Sequence, residues 1–248
     1  MTADLAAGVR GGAWMRLTTP LLFLLLPILL LSTAIRVEMN SLGLYTRGFQ
    51  TYAVGETTGL SEDQLVRAAA NLVGYFNTLT ESPQMTVSHA SGAPFDLFHD
   101  YELIHLADVK VLFAINASVQ AMSLLLVVAF VLAGLSLGRR EDVCNGLRYG
   151  AIATLGLLAT SSLAFVVDFN RMFVVFHVVA FDNPFWQLNP YTDYLVMLFP
   201  LGFWQDMFIL AGASTGLAAV ATYASVTLAT RHSRHTRHRR MVPDRGEG

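Results

Sequence analysis

The stretch Val111–Leu137, VLFAINASVQAMSLLLVVAFVLAGLSL, decides the fold, because it runs from end to end without one Asp, Glu, Lys or Arg. Crossing the hydrocarbon core of a bilayer takes about 20 mostly apolar residues in helical form. Three further stretches have the same character: Leu17–Ile35, Leu147–Val167 and Met207–Ala229. The chain is 54% hydrophobic and 14% charged, whereas a soluble domain is about 25% charged. The expectation is therefore an all-α integral membrane protein with four transmembrane helices. A helical extracytoplasmic segment lies between the first and the second. The first stretch has an alternative reading as a cleaved signal peptide, since Arg10 and Arg16 precede its apolar core. Against this, no small-residue cleavage site follows.

Orientation follows from lysine and arginine, which favour the cytoplasmic side. The N-terminal tail, the Arg139–Arg148 loop and the C-terminal tail hold 11 of the 16 basic residues, and the opposite side holds 13 of the 18 acids. Both termini are expected in the cytoplasm. Residues 1–230 then form one membrane domain, with extracytoplasmic segments at 36–110 and 168–206. Residues 231–248, including RHSRHTRHRR, form a basic cytoplasmic tail suited to anionic lipid. The localisation implied is the plasma membrane. The single cysteine, Cys144, excludes an internal disulfide and any cysteine-built metal site.

Within 36–110, Ser61 followed by Glu62, Asp63 and Gln64 reads as a helix start. Leu65, Ala69, Leu72, Phe76 and Leu79 then recur at helical spacing. Residues 81–95, with Pro83, Gly92 and Pro94, read as a loop. A helix is expected to restart near Phe95 and to run into the second span.

Two histidine blocks face the same leaflet. In the first, at about 100° per residue, Glu102, Asp108, Asn116 and Gln120 all fall within about 60° of His105. Such a polar stripe must face other helices or a water-filled cleft. Asn116 and Gln120 are read as interhelical hydrogen-bonding amides, and Lys110 as an interfacial snorkelling residue. Asp108, one turn from His105, is suited to fixing an imidazole tautomer for general-base work. In the second block, His177 sits in an aromatic belt with Phe173, Phe176, Phe181, Phe185 and Trp186. That stretch reads as a helix lying in the outer leaflet, broken by Pro184 and Pro190. Asp182, Asn183 and Asp193 supply polar groups there. Asp168 and Arg171 read as a surface ion pair. There is no G-x-S-x-G, no H-E-x-x-H and no P-loop. A metal site drawn from His89, His99, Asp108 and Asp182 is the weaker reading, because no spacing is diagnostic. The site is read with no metal and no cofactor, and nothing points to nucleic acid.

Together these blocks carry a resemblance. Asn71 with Tyr75, then Glu102, His105, Asp108, Val109 and Lys110, then Phe173, Phe176, His177, Phe181, Asn183, Trp186, Asp193 and Pro200, are similar to the bacterial membrane family of lipoprotein intramolecular transacylases. The resemblance covers most of the chain. It implies an enzyme that moves the sn-2 acyl chain of a diacylglyceryl-cysteine onto that cysteine's own α-amine. It implies His105 and His177 as the essential pair, with Asp108 beside them and Asn71, Tyr75, Glu102, Asn183, Trp186 and Asp193 as substrate-binding residues. Membrane lipids and a bacterial lipoprotein are the implied partners. Of the pair, His105 is read as the base and His177 as the oxyanion or leaving-group donor, an assignment that can be reversed. The alternatives are a membrane enzyme acting on another lipid ester and a non-enzymatic accessory protein.

Overall fold

In the computed structural model the described residues are 18–90 and 92–241. Arg10, Arg16 and Arg245, which enter the charge argument, lie outside them. The order of elements is α1 (Thr18–Met39), α2 (Leu42–Thr51), α3 (Val54–Thr58), α4 (Glu62–Asn77), β1 (Thr86–Val87), β2 (Phe95–Asp96), α5 (Asp100–Ser136), α6 (Arg140–Val167), α7 (Phe169–Ala180), α8 (Tyr194–Leu198) and α9 (Leu201–Met241). Among the described residues three helices are long and apolar enough to cross a membrane: α1, α5 and the Leu201–Arg231 part of α9. The expected third span falls in α6, a helix of 28 residues.

Two corrections concern residues 36–110. Residues 81–95 are not all loop, since Thr86–Val87 pairs antiparallel with Phe95–Asp96, Val87 opposite Phe95. Phe95 is therefore in a strand, and the helix restarts at Asp100. As expected, it then continues unbroken into the apolar stretch.

The chain forms two compact units. One comprises residues 32–119 and 160–213, and its core is built on the helix that starts at Ser61. The Ser61 hydroxyl accepts from the Gln64 N–H at 3.3 Å, and the Gln64 side chain accepts from the Ser61 N–H at 3.0 Å. This reciprocal capping satisfies two otherwise orphaned donors. The Gln64 amide also donates to the Ser88 carbonyl at 3.0 Å, tying the hairpin to α4. Beyond the cap, α4 buries Leu65, Ala68, Ala69, Leu72 and Tyr75. Leu79 falls past the end of α4 and is 98% exposed. From α2, Tyr45 and Phe49 pack on Phe199, both ring pairs 5.7 Å apart. A Cβ at Gly48 would sit 2.5 Å from the Phe203 ring, so only glycine lets α2 come this close to the start of α9. Asn116 donates to the Ser32 carbonyl at 3.2 Å, the interhelical bond expected of it.

The other unit comprises the described residues up to 31, with 120–159 and 214–241. Leu22, fully buried, packs with Val127 and Val143, and Leu26 with Ala151 and Ala219. Gly146 and Gly150 face Leu22 and Leu26 so closely that a Cβ on either would meet α1 at 2.9 Å. Small residues of this kind let helices approach within a bilayer.

Candidate active site

His105 stands in the second turn of α5, and Glu102 fixes that turn. Glu102 is fully buried. One carboxylate oxygen accepts from the His99 N–H and the other from the Leu195 N–H, each at 2.7 Å. The start of α5 is thereby fastened to α8. Beside it Asp193, also buried, accepts from the Tyr101 hydroxyl at 2.8 Å, the Asn189 N–H at 2.7 Å and the Thr192 hydroxyl at 2.8 Å. Burial pushes the Asp193 carboxyl up, but these donors outweigh it and hold the group below the usual carboxylate range.

His177 lies in the last turn of α7, a 12-residue apolar helix too short to cross a bilayer. Asp168 caps α7 by accepting from the Arg171 backbone N–H at 2.9 Å. This corrects the expected ion pair: the Asp168 carboxylate is engaged by the Arg171 backbone and not by its guanidinium. A carboxylate is the better partner for a helix N-terminus than for an exposed guanidinium one turn away.

The rings of His105 and His177 are 5.9 Å apart, centroid to centroid, and both residues are buried. Phe181 meets His105 edge to face at 4.8 Å and lies 5.4 Å from His177. His177 also packs against Phe173 at 4.2 Å and Trp186 at 5.1 Å. Its Nδ1 is 2.7 Å from the Phe173 carbonyl. A carbonyl only accepts, so Nδ1 carries the hydrogen and Nε2 holds the free lone pair. Burial pushes the His177 imidazole below its ordinary value, and the bond to Phe173 opposes that in part. The ring is thus kept neutral. Nδ1 of His105 is sealed from solvent, with no hydrogen-bond partner among the described residues.

The remaining expected residues fall into two groups. Asp108, one turn below His105, accepts from the Asn183 amide at 2.8 Å, and the Asn183 side-chain oxygen accepts from the Phe185 N–H at 3.1 Å. Asp108, Asn183 and Trp186 therefore join α5 to the loop after α7, around the histidines. Asn71, Tyr75, Glu102 and Asp193 are instead engaged with the protein itself. Asn71 donates to the Pro83 carbonyl. Tyr75 is buried under the Lys110 ammonium, 4.1 Å from the ring centre. His89 bonds at Nε2 with the Thr58 carbonyl (3.2 Å) and the Tyr194 hydroxyl (3.1 Å), and His99 stacks on Tyr101. Among the described residues no three His, Cys, Asp or Glu side chains converge as metal ligands.

The aromatic belt supplies two further participants. Phe173 orients His177, and Phe181 bridges the two imidazoles. Spacing is the signal for the first, since Phe173 and His177 stand at i and i+4 on one face of α7, whereas Phe181 is the extended residue that ends the helix.

The fold is similar to that of the membrane-integral lipoprotein intramolecular transacylase Lit of Bacillus cereus. The TM-score is 0.76 at 17% identity, covering 90% of this chain and 99% of that one. Forms of the same protein in which one histidine is replaced by arginine or by alanine each match with TM-score 0.73 at 16% identity, covering 94% and 92% of this chain. An uncharacterised protein of Aquifex aeolicus is 34% identical over 110 residues, 44% of this chain; the match spans about half, 47%, of that relative's length. The family model for lipoprotein intramolecular transacylase Lit matches residues 20–204, well over half of the 248. On that match, carried through both histidine blocks, the chain belongs to the lipoprotein intramolecular transacylase family.

Proposed function

We propose that this protein moves the sn-2 acyl chain of a diacylglyceryl-cysteine lipoprotein onto the α-amine of the same cysteine, with His105 and His177 as the catalytic pair. The observation that carries the reading is the approach of the two rings to 5.9 Å, among the aromatic side chains of Phe173, Phe181 and Trp186. The chemistry needs no nucleophile from the enzyme. The recorded partners of the two imidazoles are rings and one carbonyl, with no serine or cysteine among them. Amine and ester belong to one molecule, so orientation supplies much of the acceleration.

The hydrogen bond from His177 Nδ1 to the Phe173 carbonyl supports giving the base role to His177, the reverse of the first assignment. Its Nε2 lone pair takes a proton from the attacking amine as the new C–N bond forms. The proton then passes to the sn-2 oxygen as the ester C–O bond breaks. Amine and ester become amide and alcohol, with His177 neutral again. His105, whose Nδ1 is sealed, is suited to donate to the tetrahedral oxyanion through its other ring nitrogen, Nε2. Asp108 and Asn183 tether the loop that carries Trp186 against His177.

The membrane arrangement in this reading has four spans, α6 being the additional one. Both termini face the cytoplasm and the histidines face the outer leaflet of the bacterial cytoplasmic membrane. Partners beyond lipid and lipoprotein are not called for.

The test is mass spectrometry of lipoprotein N-termini from cells with and without the protein. The wild type converts diacylglyceryl-cysteine into the form bearing one O-linked and one N-linked chain. His105→Ala and His177→Ala each reduce that conversion by about 10²–10⁴-fold, the usual worth of a general base or an oxyanion donor. Full conversion by either variant removes that residue from the mechanism. No conversion by the wild type moves the reading to another lipid ester.

A further inference from the structure

We infer that the tip of the turn at the end of α4, residues 78–80, dips into the outer leaflet, with Leu79 buried in lipid acyl chains. Taken alone, one exposed leucine carries no message. Three contacts fix the level at which this one sits.

The gauge is α5. All of its charged side chains, Asp100, Glu102, Asp108 and Lys110, fall within its first three turns, and none follows from Val111 to Ser136. The hydrocarbon boundary therefore lies near Lys110. The turn reaches down to that level. Lys110 Nζ donates to the Thr80 carbonyl at 2.6 Å. Phe76, in the last turn of α4, stacks on Phe113 at 4.3 Å with the planes 17° apart. Phe113 is three residues further in than Lys110, about 4.5 Å along the helix. Asn77 pairs with Asn40, which directly follows α1, four residues beyond Arg36, the first charged side chain after that helix's apolar stretch. The end of α4 thus stands at the level of the bilayer edge on α5 and about one turn outside it on α1.

The polar groups of the turn are arranged for such a place. Backbone exposed to lipid must be satisfied internally. The Thr78 hydroxyl donates to the Gly74 carbonyl at 2.9 Å and accepts from the Thr80 N–H at 3.4 Å. The Thr78 and Thr80 hydroxyls are 2.8 Å apart. The Thr80 carbonyl takes the Lys110 ammonium, whose charge also lies over the Tyr75 ring. Leu79, 98% exposed, is the apolar side chain that the turn leaves uncovered, while the exposed Glu81 two residues on belongs on the aqueous side of the boundary. The occupant of that surface is the acyl region of the outer leaflet, not a protein.

The experiment places a bimane label at Leu79→Cys in a Cys144→Ala background, with the full chain reconstituted in phosphatidylcholine vesicles. A second label at Asp96→Cys serves as the reference. That site is exposed and precedes Asp100, the outermost end of α5. Lipid carrying a doxyl group on the acyl chain is expected to quench the Leu79 label several-fold more than the Asp96 label, and aqueous iodide to show the reverse order. Iodide quenching at Leu79 equal to that at Asp96, with no effect of doxyl lipid, overturns the insertion. The readout does not involve acyl transfer, so it stands or falls apart from the proposed function.

Discussion

Replacing Glu102 tests whether its carboxylate binds substrate or holds the protein together. The side chain is fully buried, and each of its oxygens accepts one backbone N–H at 2.7 Å, from His99 and from Leu195. In Glu102→Ala both donors lose their acceptor in a place that water does not reach. Each unsatisfied buried donor costs about 1–3 kcal/mol, so together they destabilise by about 2–6 kcal/mol. For a chain of this size that corresponds to a fall in Tm of order 5–20 °C. Glu102→Gln keeps one acceptor oxygen but turns an NH2 group toward a backbone N–H, so it also destabilises, by about half as much on the same per-donor figure. The assay is thermal unfolding in detergent at one fixed scan rate, alongside acyl-transfer kinetics. A clamp predicts the graded loss Ala > Gln > wild type in Tm, with turnover falling because His105, one turn further along, is displaced. An unchanged Tm in Glu102→Ala, with the defect confined to KM, refutes the clamp and returns Glu102 to substrate binding.

Further outcomes follow from the same geometry. Burial holds the His177 imidazole below its ordinary value, so the base form survives as pH falls past about 6.5 and is lost only through the lower folded value. The substrate amine, ordinarily near 7.7–8.0, gives a first shallow decline in log kcat/KM, and the slope steepens only below about 6.5. Steepening at or above that pH removes His177 as the base. The linked stability has the same sign: a depressed folded pKa gives stability that is full above about 6.5 and lost on further acidification. For topology, a membrane-impermeant thiol reagent applied to intact cells is expected to label Ala90→Cys and to leave native Cys144 unmodified, and labelling of Cys144 inverts the orientation.

What was legible in the sequence was periodic or local. The apolar run after Lys110, the capping box at Ser61 and the breaks at Pro184 and Pro190 each rest on neighbours within a few residues, and the helices follow them. The two histidines stood out because a titratable side chain at a bilayer edge is costly unless it has work to do. The partnerships were not legible. Asp108 was read against His105, its neighbour on the helix, but its hydrogen bond comes from Asn183, 75 residues away in the chain. Glu102 and Asp193 look like solvent-seeking acids until folding brings the N–H groups of Leu195 and Asn189 to them. The hairpin escaped because two-residue strands leave no alternation to read, and its pairing is held by Gln64 reaching across from α4 to Ser88.

The unpartnered Nδ1 of His105 sets stability against turnover. A sealed polar atom without a partner burdens the folded state, and an apolar ring of similar size at position 105 would relieve that burden against Phe181 while, on the proposed mechanism, ending catalysis. Selection for heat resistance and selection for acyl transfer would therefore pull this one position in opposite directions. Libraries screened only for expression or thermal tolerance would drift toward inert protein that folds better than its parent.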